Sequence, residues 1–105
     1  MNLLFICTEN KLRSATAEAV FSEYEGITAI GAGTNKDAAT TVSGDLIEWA
    51  DVIFVMEQIH KNKITQKYSN LLKGKRLICL DIPDRFKYMA PELIEILKTK
   101  VACHI

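Results

Sequence analysis

The sequence predicts an α/β fold, a small three-layer sandwich with a four-stranded parallel sheet and helices on both faces. Three observations lead there. Four short apolar runs, at residues 3–6, 27–30, 52–56 and 77–80, are nearly continuous in hydrophobicity, as suits strands covered on both sides. Segments of helical period separate them, and strands alternating with helices imply a parallel sheet with right-handed crossovers. A length of 105 residues, 49% of them hydrophobic, allows one packed core, so residues 1–105 are read as a single domain.

The first run leads through a polar loop into a helix on which Ala17, Val20, Phe21 and Tyr24 recur at i, i+3, i+4 and i+7, ending before Gly26. After the second run, Ser43 can cap a short helix carrying Leu46, Ile47 and Ala50. The third run is followed at residues 57–72 by a helix with a weaker stripe. After the fourth, Pro91 suits the first turn of a last helix whose Leu93, Ile96, Leu97 and Val101 face inward. No repeat, linker or low-complexity tract interrupts this order.

The formal net charge is zero, but its signs are unevenly spread. Residues 1–57 hold nine acids against three bases, whereas 58–80 hold Lys61, Lys63, Lys67, Lys73, Lys75 and Arg76 with no acid. Such a stretch is ordinarily a solvated helix face and loop, though it could meet an acidic partner. The start, Met1 to Ile6, has no basic region before its apolar run, and no window reaches the roughly 18 apolar residues of a membrane span. A cytoplasmic protein with no membrane and no nucleic-acid partner is expected. Cys7, Cys79 and Cys103 are odd in number and widely spaced, which fits neither a disulfide framework nor a zinc knuckle. His60 and His104 lack an acidic or cysteine partner at ligand spacing and are read as surface residues, so neither metal nor cofactor is implied.

In doubly wound sheets ligands bind beyond the carboxyl ends of the strands, beside the first βα loop. Here that loop reads Cys7-Thr8-Glu9-Asn10-Lys11-Leu12-Arg13-Ser14. Backbone N–H groups curling into a helix N-terminus converge and, with the helix dipole, form an anion cradle across residues 8–14. The same donors favour the thiolate of Cys7, making it a nucleophile at neutral pH. Arg13 offers a planar fork for two phosphoryl oxygens and for transition-state charge. Ser14 is either the helix N-cap or a hydroxyl donor to the thiolate, or both. Asn10 can take a left-handed turn and tie the loop with its side chain.

The pattern Cys-x-x-Asn-x-x-Arg-Ser, matched by Cys7, Asn10, Arg13 and Ser14, resembles that of the low-molecular-weight protein tyrosine phosphatases. The resemblance extends through Ala17-Glu18, Ala32-Gly33-Thr34 and Ala50 to Glu57. It implies hydrolysis of phosphate monoesters, protein phosphotyrosine among them, through a phosphocysteine. It also implies an aspartate on a later loop that protonates the leaving group. The segment after the fourth run offers Asp81 and Asp84. Strand-end position favours Asp81, and Pro83 keeps Asp84 in play.

Four departures from that family stand out. The chain is shorter than its usual members, Glu9 replaces a glycine, and Leu12 replaces a second loop cysteine. The aromatics that wall a phosphotyrosine cleft are missing from their places, with Phe86 and Tyr88 nearby as core or rim residues. Cys79 and Cys103 are read as structural. Three other readings compete: a phosphocysteine carrier like the IIB domains of sugar phosphotransferase systems, an arsenate reductase, and a module that only binds phosphorylated or nucleic-acid ligands.

Overall fold

The computed structural model describes all residues, 1–105. Its elements run β1 (Asn2–Cys7), α1 (Arg13–Phe21), β2 (Thr28–Gly33), α2 (Gly44–Trp49), β3 (Val52–Val55), α3 (Gln58–Leu72), β4 (Arg76–Cys79) and α4 (Pro91–Ala102). The four strands form one parallel sheet in the order β2-β1-β3-β4. Successive side chains of a strand point to opposite faces, and β1 divides its residues accordingly. Leu3, Phe5 and Cys7 join Ala17, Val20 and Phe21 of α1 and Leu93, Leu97 and Val101 of α4. Leu4 and Ile6 pack instead with Ile47 of α2 and Ile64 of α3. Two helices thus cover each face, as the sequence predicts.

Phe5 anchors the first face, its ring stacked on Phe21 at 5.4 Å and on Phe54 at 5.2 Å. Because it is fully buried, truncation to alanine would cost about 3–5 kcal/mol. Ser43 caps α2 by accepting from the Leu46 N–H at 3.2 Å, and Pro91 opens α4. No helix is long and apolar enough to cross a membrane.

Some expectations need correction. The α1 helix stops at Phe21, and Tyr24 lies past it in a turn, exposed but with its ring against Phe21. The β4 strand is a sheet edge and only partly buried, so its apolar run does not mean cover on both sides. The β2 strand runs on to Gly33, because its glycines let the loop after β1 approach closely. From β1 the chain turns to β2 on one side, whereas β3 lies on the other. The crevice between those departures opens at Cys7.

Candidate functional site

The loop after β1 is fixed from outside. The carbonyls of Cys7, Thr8 and Glu9 accept from the amides of Thr34 (2.9 Å), Asn35 (2.9 Å) and Ala39 (3.2 Å). These bonds turn three of its carbonyls outward. Asn10 adopts φ 57°, a left-handed conformation that asparagine tolerates better than most residues, and its N–H donates to Cys7 Sγ at 3.2 Å. Leu12 caps α1 without any side-chain hydrogen bond, so the first-turn N–H groups of the helix are left for a ligand.

Behind this wall Asn10 and Ser14 are buried. Ser14 Oγ lies 2.9 Å from Cys7 Sγ and donates to Asn10 Oδ1 at 2.6 Å. Ser14 is inside α1, not its N-cap; it touches the sulfur but gives its hydroxyl hydrogen to Asn10. Gly31 makes the packing possible. A Cβ there would stand 2.6 Å from Asn10 Oδ1 and 2.7 Å from the Ser14 carbonyl.

In front of the wall is a pocket of about 320 Å³, lined by Cys7, Thr8, Glu9, Lys11, Leu12, Arg13 and Asp84. Cys7 is 4% exposed and Arg13 3%. Arg13 Nη1 donates to Glu57 Oε1 and, at 2.7 Å, to the Ile82 carbonyl. That leaves the Nε and Nη2 edge of the guanidinium free to take two oxygens side by side. Asp84 Oδ1 sits 3.8 Å from Nε. Glu9 is turned toward solvent, 3.7 Å from Lys11 Nζ.

The structure places the two candidate acids, Asp81 and Asp84, differently. Asp81 takes φ 53° at the end of β4, and its carboxylate accepts from Cys79 Sγ at 3.4 Å. Lys100 Nζ binds the carbonyls of Leu80 and Asp81. Asp81 is held away from the pocket, while Asp84 lines it. Between them Ile82 is wholly buried and hydrogen-bonds through its N–H to the Met56 carbonyl at 2.8 Å.

His60 corrects an expectation, for it is 1% exposed rather than on the surface. Its Nε2 is 2.9 Å from Thr8 Oγ1, and its Nδ1 accepts from the Glu57 N–H at 3.0 Å. Burial, with the Arg13 charge as the next cause, lowers its pKa to about 4. His104 is half-buried against Phe54. Sequence reasoning missed His60 and Glu57. The spacing Glu57-x-x-His60 at the start of a helix, a reciprocal cap, was the available signal.

Neither Cys79 nor Cys103 lines the Cys7 pocket. Cys79 is partly buried, and burial pushes its thiol upward; Cys103 is exposed near the end of the chain. Phe86 belongs to the core and Tyr88 is exposed outside the pocket. No cluster of three His, Cys, Asp or Glu side chains is placed to hold a metal ion.

No protein-family model matches the sequence, and no curated protein does. Solved structures do match in three dimensions. The arginine phosphatase YwlE from Geobacillus stearothermophilus aligns over 99% of this chain and 97% of its own, with a TM-score of 0.74 at 21% identity. The tyrosine phosphatase Wzb from Escherichia coli K30, solved in complex with phosphate, aligns over 97% and 94%, with a TM-score of 0.76 at 19% identity. SP-PTP, a low molecular weight protein tyrosine phosphatase from Streptococcus pyogenes, aligns over 99% and 93%, with a TM-score of 0.80 at 11% identity.

Proposed function

We propose that this chain, which has the fold of the low-molecular-weight protein tyrosine phosphatases, is a cysteine-dependent phosphatase that hydrolyses phosphate monoesters through a phosphocysteine on Cys7. The observation that carries the reading is the setting of one sulfur atom. Cys7 Sγ opens onto the pocket floor with the Asn10 N–H at 3.2 Å and Ser14 Oγ at 2.9 Å. The Asn10 N–H donates to the sulfur, while the Ser14 hydroxyl packs against it with its own hydrogen on Asn10 Oδ1; a backbone donor at this distance favours a thiolate both as nucleophile and as leaving group.

A phosphoryl group enters with its oxygens on the loop amides and on the free edge of Arg13. The thiolate attacks phosphorus, an S–P bond forms as the bond to the ester oxygen breaks, and Asp84 in its acid form delivers a proton to that oxygen. Asp84, now a carboxylate, takes a proton from water as the water attacks phosphorus. The S–P bond breaks, phosphate leaves and the thiolate is restored. Loop dipoles and Arg13 meet the charge of both transition states, so the scheme needs no metal. The mouth of the pocket has no aromatic side chain, and the proposal therefore stops at phosphate monoesters without selecting tyrosine.

Steady hydrolysis of p-nitrophenyl phosphate, abolished in Cys7→Ser, is the expected result. Turnover that survives in Cys7→Ser would overturn the reading. A single phosphoryl transfer that stalls on Cys7 would favour the carrier function instead, and phosphate binding without any transfer would favour a binding module.

A further inference from the structure

The two nitrogens of the buried His60 ring meet partners of different kinds. Nδ1 faces the backbone N–H of Glu57, a group that can only donate, so Nδ1 carries no hydrogen. The neutral ring then carries its hydrogen on Nε2, which lies 2.9 Å from Thr8 Oγ1. Thr8 is the acceptor in that contact. Its own hydroxyl hydrogen is still to be placed, and His60 is the only partner the Thr8 hydroxyl has within the protein. Thr8 is also one of the residues that line the pocket in front of Cys7.

We propose that Thr8 donates its hydroxyl hydrogen to the oxyanion held in the Cys7 pocket, and that His60 is the positioning residue that turns the hydroxyl toward it. The proposal rests on the phosphate-site reading above and adds to it a side-chain donor and the device that aims it. An unconstrained threonine hydroxyl rotates among staggered wells and can accept as well as donate. A fixed N–H on one lone pair removes that freedom before any ligand arrives, so less ordering is left for the binding step. Because Thr8 is neutral, it adds a donor for the oxyanion without placing another charge in the pocket. The ring also braces Arg13 through Glu57. Its Nδ1 holds the N–H of Glu57, whose carboxylate holds Arg13. The lowered pKa of His60 keeps the ring in the neutral form that both contacts require.

The test measures inorganic phosphate binding by calorimetry together with the tautomer of His60 by ¹⁵N NMR, on the full chain at pH 7. Thr8→Val is expected to weaken phosphate binding by about ten- to a hundredfold, the usual effect of losing a hydrogen bond to a charged group. Thr8→Ser, which keeps the hydroxyl, should restore it. His60 should show a protonated Nε2 and a bare Nδ1, and the Nε2–H resonance should move in Thr8→Val. Wild-type affinity in Thr8→Val, failure of Thr8→Ser to recover it, or a ring protonated on Nδ1 would each overturn the proposal. A wild-type protein that binds phosphate but never turns over an aryl ester defeats the phosphatase reading alone. One that binds no phosphate defeats both.

Discussion

Arg13 and Glu57 form an ion pair, with Nη1 of the guanidinium shared between the Glu57 carboxylate and the Ile82 carbonyl. The buried arginine is therefore held by the cap of α3 on one side and by the segment that carries Asp84 on the other. Its orientation is set before a ligand enters.

Arg13→Lys keeps the charge but has neither the fork nor the reach for both anchors. Turnover of p-nitrophenyl phosphate should fall by about a hundredfold or more, corresponding to roughly 3–4 kcal/mol for a lost preorganised donor. Glu57→Gln should cost about 1–3 kcal/mol in urea unfolding, less than a fully buried pair because Glu57 is 40% exposed. It should also slow turnover while leaving the Cys7 thiol as easily alkylated as before.

Leaving-group dependence distinguishes the two aspartates. Asp84→Asn should slow alkyl phosphates strongly and p-nitrophenyl phosphate weakly, since a leaving group that departs as a stable anion needs little protonation. Asp81→Asn should change neither class. A new, steep dependence on the leaving group in Asp81→Asn alone would transfer the role of acid to Asp81.

Gly31→Ala tests the packing behind the loop. The added methyl would meet Asn10 Oδ1 and the Ser14 carbonyl well inside contact distance, and backbone on one side cannot yield easily. Loss of phosphate binding together with a melting temperature lower by several degrees is expected, because overpacking of this kind costs about 1–3 kcal/mol.

His60 gives stability an acid dependence of definite sign. In the unfolded chain the ring takes its proton near 6.5, and in the fold only at about 4. Between those values the unfolded state binds more protons. The His60 contribution is thus complete above pH 6.5 and drains away as pH falls toward 4, amounting to roughly 3 kcal/mol. Urea unfolding of wild type against His60→Gln over pH 4–7 should show this slope in the wild type only.

The layers of the fold were legible in the sequence because burial of a strand and of a helix stripe leaves a periodic record. Cys7, Asn10, Arg13 and Ser14 were legible because the strand-loop-helix context gives their spacing a mechanism. The choice between Asp81 and Asp84 was not, since it turns on the left-handed backbone of Asp81 and the burial of Ile82, which no local pattern encodes. His60 was missed for a related reason. Its partner Thr8 stands 52 positions away, and only the β1–β3 pairing brings α3 to the loop.

Cys7 and Asp84, the proposed nucleophile and acid, stand on parts of the chain with unequal protection. Cys7 ends β1, which is hydrogen-bonded to β2 on one edge and β3 on the other, whereas Asp84 rides on a short exposed span between the buried Ile82 and Phe86. Strands flanked on both edges exchange their amide hydrogens mainly through global unfolding, while exposed loop spans exchange through local excursions. Amides of Leu4, Phe5 and Ile6 should therefore be the last to take up deuterium, and those of Arg85 and its neighbours among the first.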